Sequence, residues 1–508
     1  MTMPLEQTIN TEPLLTIMGI VAAAWAIIPR TRLLQISLNL SWIDWALTRF
    51  ALLLANYLTF EPLLSSFNLY YSIGPWLPGL DSASATYLIF VAWLSYVYLR
   101  SRFGHLPRSN TKKLKELVDR LIATRQYDEL ALIIEPQLDK IIQLSDEIHA
   151  HNTIQNITNN NDLTNHLSLA HPNICLKLIK TDFVIPTDFS DRFIESLIKN
   201  TGSQLYLELK HNKQLEHPET ANSKRLHIHD NNTLIKELLS DPHLAINHYG
   251  TDRATWRAVI YAINNDKTLV DKLNTPSDYY KEKDEYNCPI NTSISMFNIM
   301  VHEGIHKGYQ DHMNIWFFYH LTESLLEHTK DGQEYDSSTR TPIRVLVERI
   351  ISITMDWIIE GSYTDDSSIA KYRQSLIKSD AAITPPKNAP DNLFISKRAT
   401  ELLNYIIKTI IDSKKMSNKW KELCIGQIVI QYKSTYRLLS SINQKTQDKE
   451  RQLADLMLDQ VVKGNYAPPE YRRQLLAHVE QLDKEDSKPL RDRLLKAIAE
   501  DEARESSH

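Results

Sequence analysis

Cysteine is scarce in this sequence: the 508 residues include three, Cys175, Cys288 and Cys424, which lie far apart. An odd number of widely spaced cysteines excludes a disulfide framework and a cysteine-based zinc knuckle. Because disulfides are rare in reducing compartments and common in oxidising ones, this usage indicates a reducing compartment.

Glycine is scarce as well, at 12 residues. Phosphate-binding loops and nucleophile elbows need closely spaced glycines, and the sequence contains neither pattern. No internal repeat is evident, and the net charge of −5 at pH 7 gives no basic signal for nucleic acid. These absences argue against nucleotide-binding, α/β-hydrolase, repeat and nucleic-acid-binding proteins.

Lysine is absent before Lys112, and that part of the chain contains three apolar segments, at 14–28, 42–60 and 87–99. Each is close in length to the ~20 residues that span a bilayer. Tryptophan and tyrosine cluster near the segment ends, as they do at membrane interfaces. The sequence therefore predicts about three transmembrane helices, with buried core helices of a globular protein as the alternative.

Arginine determines the predicted orientation of these helices. Neither lysine nor arginine occurs in the N-terminal tail or in the loop at 61–86. Arginines instead follow the first and third segments, at Arg30, Arg32, Arg100, Arg102 and Arg108. The positive-inside rule then predicts that the N-terminus lies outside and the large C-terminal part in the cytosol. The expected location is a bacterial inner membrane.

Two charged residues, Asp44 and Arg49, interrupt the second apolar segment. Charged residues are costly within a bilayer unless they are paired. The sequence therefore leaves two possibilities: Asp44 and Arg49 pair within the membrane, or residues 33–49 form an interfacial helix and the span begins later.

A metal-binding pattern lies at 302–306, His302-Glu303-Gly304-Ile305-His306. Histidines four residues apart lie on the same face of an α-helix, so His302 and His306 can bind one Zn²⁺. Glu303 is then placed to accept a proton from water that zinc activates. Because N-capping residues precede a helically spaced set of apolar residues here, the motif is predicted to lie on a half-buried helix.

Apolar residues at 299–301 precede the motif, and with them it resembles the active-site helix of the zincin metallopeptidases. The resemblance implies Zn²⁺ as cofactor, His302 and His306 as ligands, Glu303 as catalytic base and a protein or peptide as substrate. One departure is Gly304, where zincins usually have a bulky apolar residue, and this glycine weakens the helix locally.

The third zinc ligand has three candidates. Glu360 is preferred, because Trp357-Ile358-Ile359-Glu360-Gly361 resembles the W-x-x-E-G segment of many gluzincins. Glu323 is the first alternative, since Glu327 one turn later can orient a metal-bound histidine. His312 is the second alternative: it has the spacing of the metzincin motif, although a tyrosine stands where that motif has its glycine.

The remaining sequence predicts a mainly α fold with a small β element. The best strand is 204–210, where apolar side chains alternate, with 225–229 as its partner. The Asn/Thr-rich stretch at 152–165 is predicted as a loop. The predicted domains are a membrane domain at 1–105, a mostly helical zincin-like metal-binding domain at 106–380 and a C-terminal helical bundle or tail at 391–508.

Three functional hypotheses follow. The first is a membrane-anchored zinc metallopeptidase. The second is a non-enzymatic membrane-anchored scaffold or sensor, whose charged C-terminal helices bind a protein partner. The third is a di-iron helical-bundle protein, because Glu303-x-x-His306 also matches that ligand pattern, although the required second copy is only approximated by Asp146-x-x-His149.

Overall fold

The computed structural model describes the chain at 27–70, 81–181, 186–211, 232–275, 288–307, 315–330, 341–360, 394–438, 457–464 and 467–506, together with residues 19, 23, 309 and 455. These residues are mainly helical, which confirms the predicted mainly α class, and no strand occurs among them. The chain divides into two compact units, Met1–Ile185 and Pro186–His508. The division falls within the segment predicted as the metal-binding domain.

The helices of the first unit follow one another closely along the chain. They are α1 (Arg30–Asn39), α2 (Trp42–Thr59), α3 (Glu61–Ser66), α4 (Ser82–Phe103), α5 (Thr111–Ala123), α6 (Tyr127–Ile134), α7 (Leu138–Gln143), α8 (Ile148–Asn159), α9 (Asn161–Ala170) and α10 (Pro172–Ile179). From α5 onward they bury apolar residues spaced three or four apart, such as Leu114, Leu117 and Leu121.

Helices α2 and α4 form an antiparallel pair. Trp93 Nε1 in α4 donates a hydrogen bond to Thr48 Oγ1 in α2 at 3.3 Å. Nearer the other end of α4, Arg100 Nε lies 3.4 Å from the Oδ2 atom of Asp44, whose carboxylate also closes the first turn of α2 in a capping box. The partner of Asp44 is therefore Arg100, and the predicted pairing with Arg49 is wrong.

The predicted interfacial helix at 33–49 is also wrong, because the chain breaks at Leu40 and Ser41, between α1 and α2. Serine 41 accepts a hydrogen bond from the amide of Asp44 and so starts a new helix. The break is fixed on the other side by Asn110, whose side-chain amide donates to the carbonyls of Leu38 and Leu40.

One helix in the described part of the chain, Ser82–Arg100 within α4, is long and apolar enough to cross a membrane. Its mean hydropathy is 1.4, and 17% of it is buried. It contains the third predicted apolar segment, whereas the second segment forms α2 and most of the first lies outside the described residues. Several large apolar side chains on α2 and α4 are more than half exposed: Phe50, Leu53, Tyr87, Leu88 and Leu99.

The predicted loop at 152–165 is in fact the end of α8 and the first half of α9. Buried Ile154 and Ile157 in α8, and buried Leu163 and Leu167 in α9, have helical spacing. The helices are separated only at Asn160, whose side chain accepts from the amide of Leu163 as an N-cap. Asparagine therefore marks a helix boundary here rather than a long loop.

The second unit contains the motif. Its helices are α11 (Thr187–Lys199), α12 (Gln204–His211), α13 (Thr233–Leu239), α14 (Thr251–Asn265), α15 (Lys267–Asn274), α16 (Pro289–Lys307), α17 (Phe317–Glu327), α18 (Pro342–Glu360), α19 (Phe394–Asp412), α20 (Asn418–Leu438), α21 (Pro469–Val479) and α22 (Lys484–Glu505), with a π-helical turn at Leu244–His248. Helix α16 packs against α11, α12, α13, α14, α18 and α19.

The predicted strand at 204–210 is helix α12, so that prediction is wrong. Its proposed partner at 225–229 lies outside the described residues. Tertiary contacts explain the helix: Leu205, Tyr206 and Glu208 are all buried, which is incompatible with alternation between a buried and an exposed face. The hydroxyl of Tyr206 donates back to the carbonyl of Ile198 in α11.

The charged C-terminal helices pack within the second unit. Helices α21 and α22 contact each other and α20, and they bury Leu475, Val479, Leu490 and Leu494. An ion pair joins Arg472 of α21 to Asp501 of α22. The predicted boundary between the domains at 106–380 and 391–508 lies outside the described residues.

Candidate metal centre

Helix α16 carries His302, Glu303 and His306, as the sequence predicts. The three residues are 8%, 3% and 8% exposed. The helix is not half-buried as predicted: every residue from Ile290 to His306 is buried except Ser295. Because packing partners surround it, both the apolar and the polar faces of α16 are enclosed, and the motif lies in the interior of the second unit.

Helix α16 ends one residue after the motif, at Lys307. The amide of Tyr309 donates to the carbonyl of Gly304 at 2.9 Å, five residues back, as in the Schellman closure of helix ends. The chain therefore leaves the helix axis directly after His306. His312, the metzincin-type candidate ligand, lies outside the described residues.

A lysine accompanies the motif glutamate. Lys307 Nζ lies 3.5 Å from Glu303 Oε2, one turn away on the same helix face, and it also donates to the backbone carbonyl of Ser240. The Lys307 side chain is 19% exposed and that of Glu303 is 4% exposed. A buried carboxylate needs such a partner, because desolvation of an unpaired charge is costly. Glu303 thus lies in a polar contact that also fixes the segment preceding the π-helical turn.

Helix α18, which ends at Glu360, is joined to the motif helix by side-chain hydrogen bonds. Arg349 Nη2 in α18 donates to Ser295 Oγ in α16 at 3.0 Å, and Trp357 Nε1 donates to Asn298 Oδ1 at 2.9 Å. Later residues of α18 thus pair with later residues of α16, so the two helices run in the same general direction. His302 follows Asn298 by one turn, and position 360 follows Trp357 by one turn.

Glu323, the alternative ligand, has a different environment. It lies on α17 and is 43% exposed, with Tyr319 Oη 3.4 Å from its Oε1 atom and His320 Nδ1 3.6 Å from its Oε2 atom. Partial burial and then the charge of Glu323 raise the pKa of Tyr319. In the described residues, no three His, Cys, Asp or Glu side chains form a group that could hold a metal ion.

The π-helical turn forms a wall beside the end of α16 that the sequence did not reveal. Asn247 Nδ2 donates to Tyr309 Oη at 3.2 Å, and the ring of His243 packs edge-on against that of Tyr309, with centroids 6.5 Å apart. Burial and the nearby charge of Asp241 raise the pKa of Tyr249, which closes the turn, to about 12. A π-helical turn aligns side chains that are five residues apart, and such side chains would not share one face of an α-helix. The α-helical periodicity of the sequence therefore gives no signal for this wall.

The second half of the di-iron pattern, Asp146 and His149, lies in the first unit, whereas Glu303 and His306 lie in the second. Asp146 is exposed and is paired with Arg108.

Comparisons of the chain with protein-family models, with curated proteins and with solved structures find no match.

Proposed function

We propose that this protein is a membrane-anchored, zinc-dependent metallopeptidase. The observation that carries the proposal is the motif helix: His302 and His306 lie one turn apart on α16, Glu303 lies between them, and the helix ends directly afterwards. Two neutral imidazoles on one helix face are a donor set that suits Zn²⁺. Their near-complete burial favours a fixed ligand geometry over that of mobile surface histidines.

Glu360 is the third ligand in this proposal, with Glu323 and then His312 as alternatives. The Trp357–Asn298 hydrogen bond supports Glu360, because position 360 follows Trp357, and His302 follows Asn298, by about one turn in the same chain direction. A third ligand from a separate helix would also explain why α18 is fastened to α16 by the buried Trp357–Asn298 hydrogen bond. Removal of that ligand should then cost most of the zinc affinity.

The proposed chemistry assigns Glu303 the proton transfer. A zinc ion at this site would supply Lewis acidity, activating water and polarising the scissile carbonyl. Glu303 would accept the proton of the attacking water and pass it to the leaving amine. Lys307, in contact with Glu303, would hold that carboxylate in position.

Membrane anchoring is supported by the α2–α4 hairpin. Helix Ser82–Arg100 has the length and composition of a span, and large apolar side chains of α2 and α4 face outward. The Asp44–Arg100 pair lies where α2 begins and near the end of α4, so both charges lie at the same end of the hairpin. That arrangement agrees with a cytosolic end at Arg100.

Reporters fused near Gly79 and after Arg108 should indicate opposite sides of the membrane, and reversed reporter activities would refute this topology.

The scaffold hypothesis is favoured by one observation, the buried Glu303–Lys307 pair. A carboxylate that is already neutralised by a neighbouring lysine is an ordinary way to bury a charge. In that case the motif is structural, and the C-terminal helices are the sites to search for a partner. Metal content separates the two hypotheses.

The decisive experiment is metal analysis of the detergent-purified protein. After weakly held metal has been removed by dialysis, we expect about one zinc per chain in the wild type, little in His302→Ala/His306→Ala, and a large loss in Glu360→Gln but not in Glu323→Gln. Zinc that survives both glutamate substitutions would return His312 as the ligand. Iron in place of zinc would support the di-iron hypothesis, and a folded wild type without metal would contradict the peptidase.

The Glu303→Gln variant separates metal binding from catalysis. We expect it to retain zinc and to lose peptide cleavage by ~10²–10⁴-fold, the usual contribution of a general base. Cleavage is measured against a peptide library together with zinc content. Full cleavage activity in a folded, zinc-loaded Glu303→Gln protein would refute the mechanism.

A further inference from the structure

The π-helical turn at Leu244–His248 aligns two histidines. The amide of Tyr249 donates to the carbonyl of Leu244, five residues back, at 2.9 Å. A turn that closes over five residues places side chains five apart on the same face, whereas an α-helix would turn them away from each other. His243 and His248 are five residues apart, and their ring centroids are 5.7 Å apart with an interplanar angle of 53°.

This separation suits two ligands of one metal ion. Bonds from zinc to imidazole nitrogen are about 2.0–2.1 Å long, and the ring centre lies beyond the nitrogen, so two imidazoles on one tetrahedral ion have centroids about 5–6 Å apart. The rings of His243 and His248 are tilted rather than stacked. Tilted rings allow one nitrogen from each to be directed toward a common point.

The two side chains are also available to solutes. His248 is exposed and His243 is partly exposed. In the part of the chain that the structure describes, their ring nitrogens take part in no hydrogen bond or ion pair, and ring contacts are their only specific interactions. The imidazoles would therefore exchange only water for the metal.

The turn is held in place by independent contacts. At its start, the carboxylate of Asp241 accepts from the amides of His243 and Leu244. Later in the turn, the side-chain amide of Asn247 donates to the hydroxyl of Tyr309. A preorganised pair of ligands loses less conformational entropy on binding than two mobile surface histidines.

We propose that His243 and His248 form a second metal site, for a late first-row divalent ion such as Zn²⁺, Ni²⁺ or Cu²⁺, distinct from the His302/His306 pair. Imidazole is a preferred ligand of these ions. With two protein ligands, the remaining positions are open to water or to a carboxylate of a bound molecule. The site lies beside Tyr309, at the end of the motif helix, and it does not depend on the motif being catalytic.

The test uses untagged, chelator-treated protein that carries His302→Ala/His306→Ala, so that the first pair cannot contribute. Zn²⁺ and Ni²⁺ are titrated by calorimetry, and the thermal midpoint is measured with and without metal. We expect one binding event and a metal-dependent rise in the midpoint, because a ligand that binds only the native state stabilises it. Adding His248→Ala should weaken binding by at least tenfold and abolish the rise, while His105→Ala, which removes an exposed histidine of the first unit, should change neither.

Three outcomes would overturn the proposal. They are the absence of binding in the chelator-treated protein, binding that His248→Ala leaves intact, and a loss of binding in His105→Ala equal to that in His248→Ala. His243→Ala serves as a second variant and should match His248→Ala. Because His248 is exposed, its substitution should leave the thermal midpoint of the metal-free protein unchanged, which shows that the fold is retained.

Discussion

Glu303 is a buried carboxylate whose charge is compensated by a residue of its own helix. Its side chain is almost fully buried, and a buried carboxylate is retained only when its charge is compensated. Lys307 provides the compensation one helical turn away and is itself held by the carbonyl of Ser240. The contact has the i,i+4 order, glutamate before lysine, that is the more favourable one on a helix.

A double-mutant cycle on Glu303 and Lys307 tests this coupling. Glu303→Gln and Lys307→Met should each destabilise the protein by about 1–3 kcal/mol, because each leaves the charge of a buried or partly buried partner uncompensated. The double variant should cost less than the sum, with a coupling of about 0.5–3 kcal/mol. Urea unfolding monitored by circular dichroism gives the four free energies. As a control, the exposed pair Lys177–Asp139 should show coupling below about 1 kcal/mol.

At the scale of elements, α12 and α13 show how a buried carboxylate can define a helix start. Glu208 of α12 is 5% exposed, and its two oxygens accept from the amides of Leu234 and Ile235 at 3.1 and 2.8 Å. These amides belong to the first turn of α13, where helix donors have no partner within the helix. Gln204 donates to the same carboxylate at 2.6 Å. A side chain from another helix therefore acts as the cap of α13.

Substitution of Glu208 tests this capping. Glu208→Ala should destabilise the second unit by about 1–3 kcal/mol, because it leaves two buried amide donors without an acceptor. Glu195→Ala is the matched control, since Glu195 forms an i,i+4 pair with a half-exposed Lys199, and it should cost about 0.5 kcal/mol or less. Chemical unfolding measures both. Equal effects would contradict the capping role.

At the scale of the whole molecule, each compact unit contains a deeply buried thiol. Cys175 of α10 and Cys424 of α20 are both fully buried, and burial raises the pKa of Cys175 to about 12. Burial likewise raises the pKa of Cys424. The thiolate is the form of cysteine that reacts with alkylating reagents. Both residues should therefore be unreactive at pH 8 until their own unit unfolds.

Pulsed alkylation therefore tests whether the units at 1–185 and 186–508 unfold separately. In a Cys288→Ser background, native protein should resist labelling at both remaining thiols. With rising urea, Cys175 and Cys424 should become reactive at different midpoints, each read by mass spectrometry of the labelled peptide. Identical midpoints and slopes would show instead that the chain unfolds as one cooperative unit.

Much of the helical framework was predictable, because its signals are local. Helix α18 begins after Thr341 at Pro342 and ends at Glu360, as the capping threonine, the first-turn proline and the following Gly361 predict. The predicted strand at 204–210 failed because Leu205 and Tyr206 are buried as neighbours while Leu207 is exposed, which fits a helix and not an alternating strand. A short apolar run does not distinguish the two structures until its neighbours are known.

The sequence by itself determined the mainly helical class and the helix that aligns His302 with His306, since periodicity, caps and a four-residue spacing act within one segment. Only the tertiary structure decided that this helix is buried on every side, that the carbonyl of Ser240 holds Lys307, and that Asp44 pairs with Arg100. These features join residues far apart in the chain. Their partners are selected by packing and by the need to compensate buried charge, which no local pattern encodes.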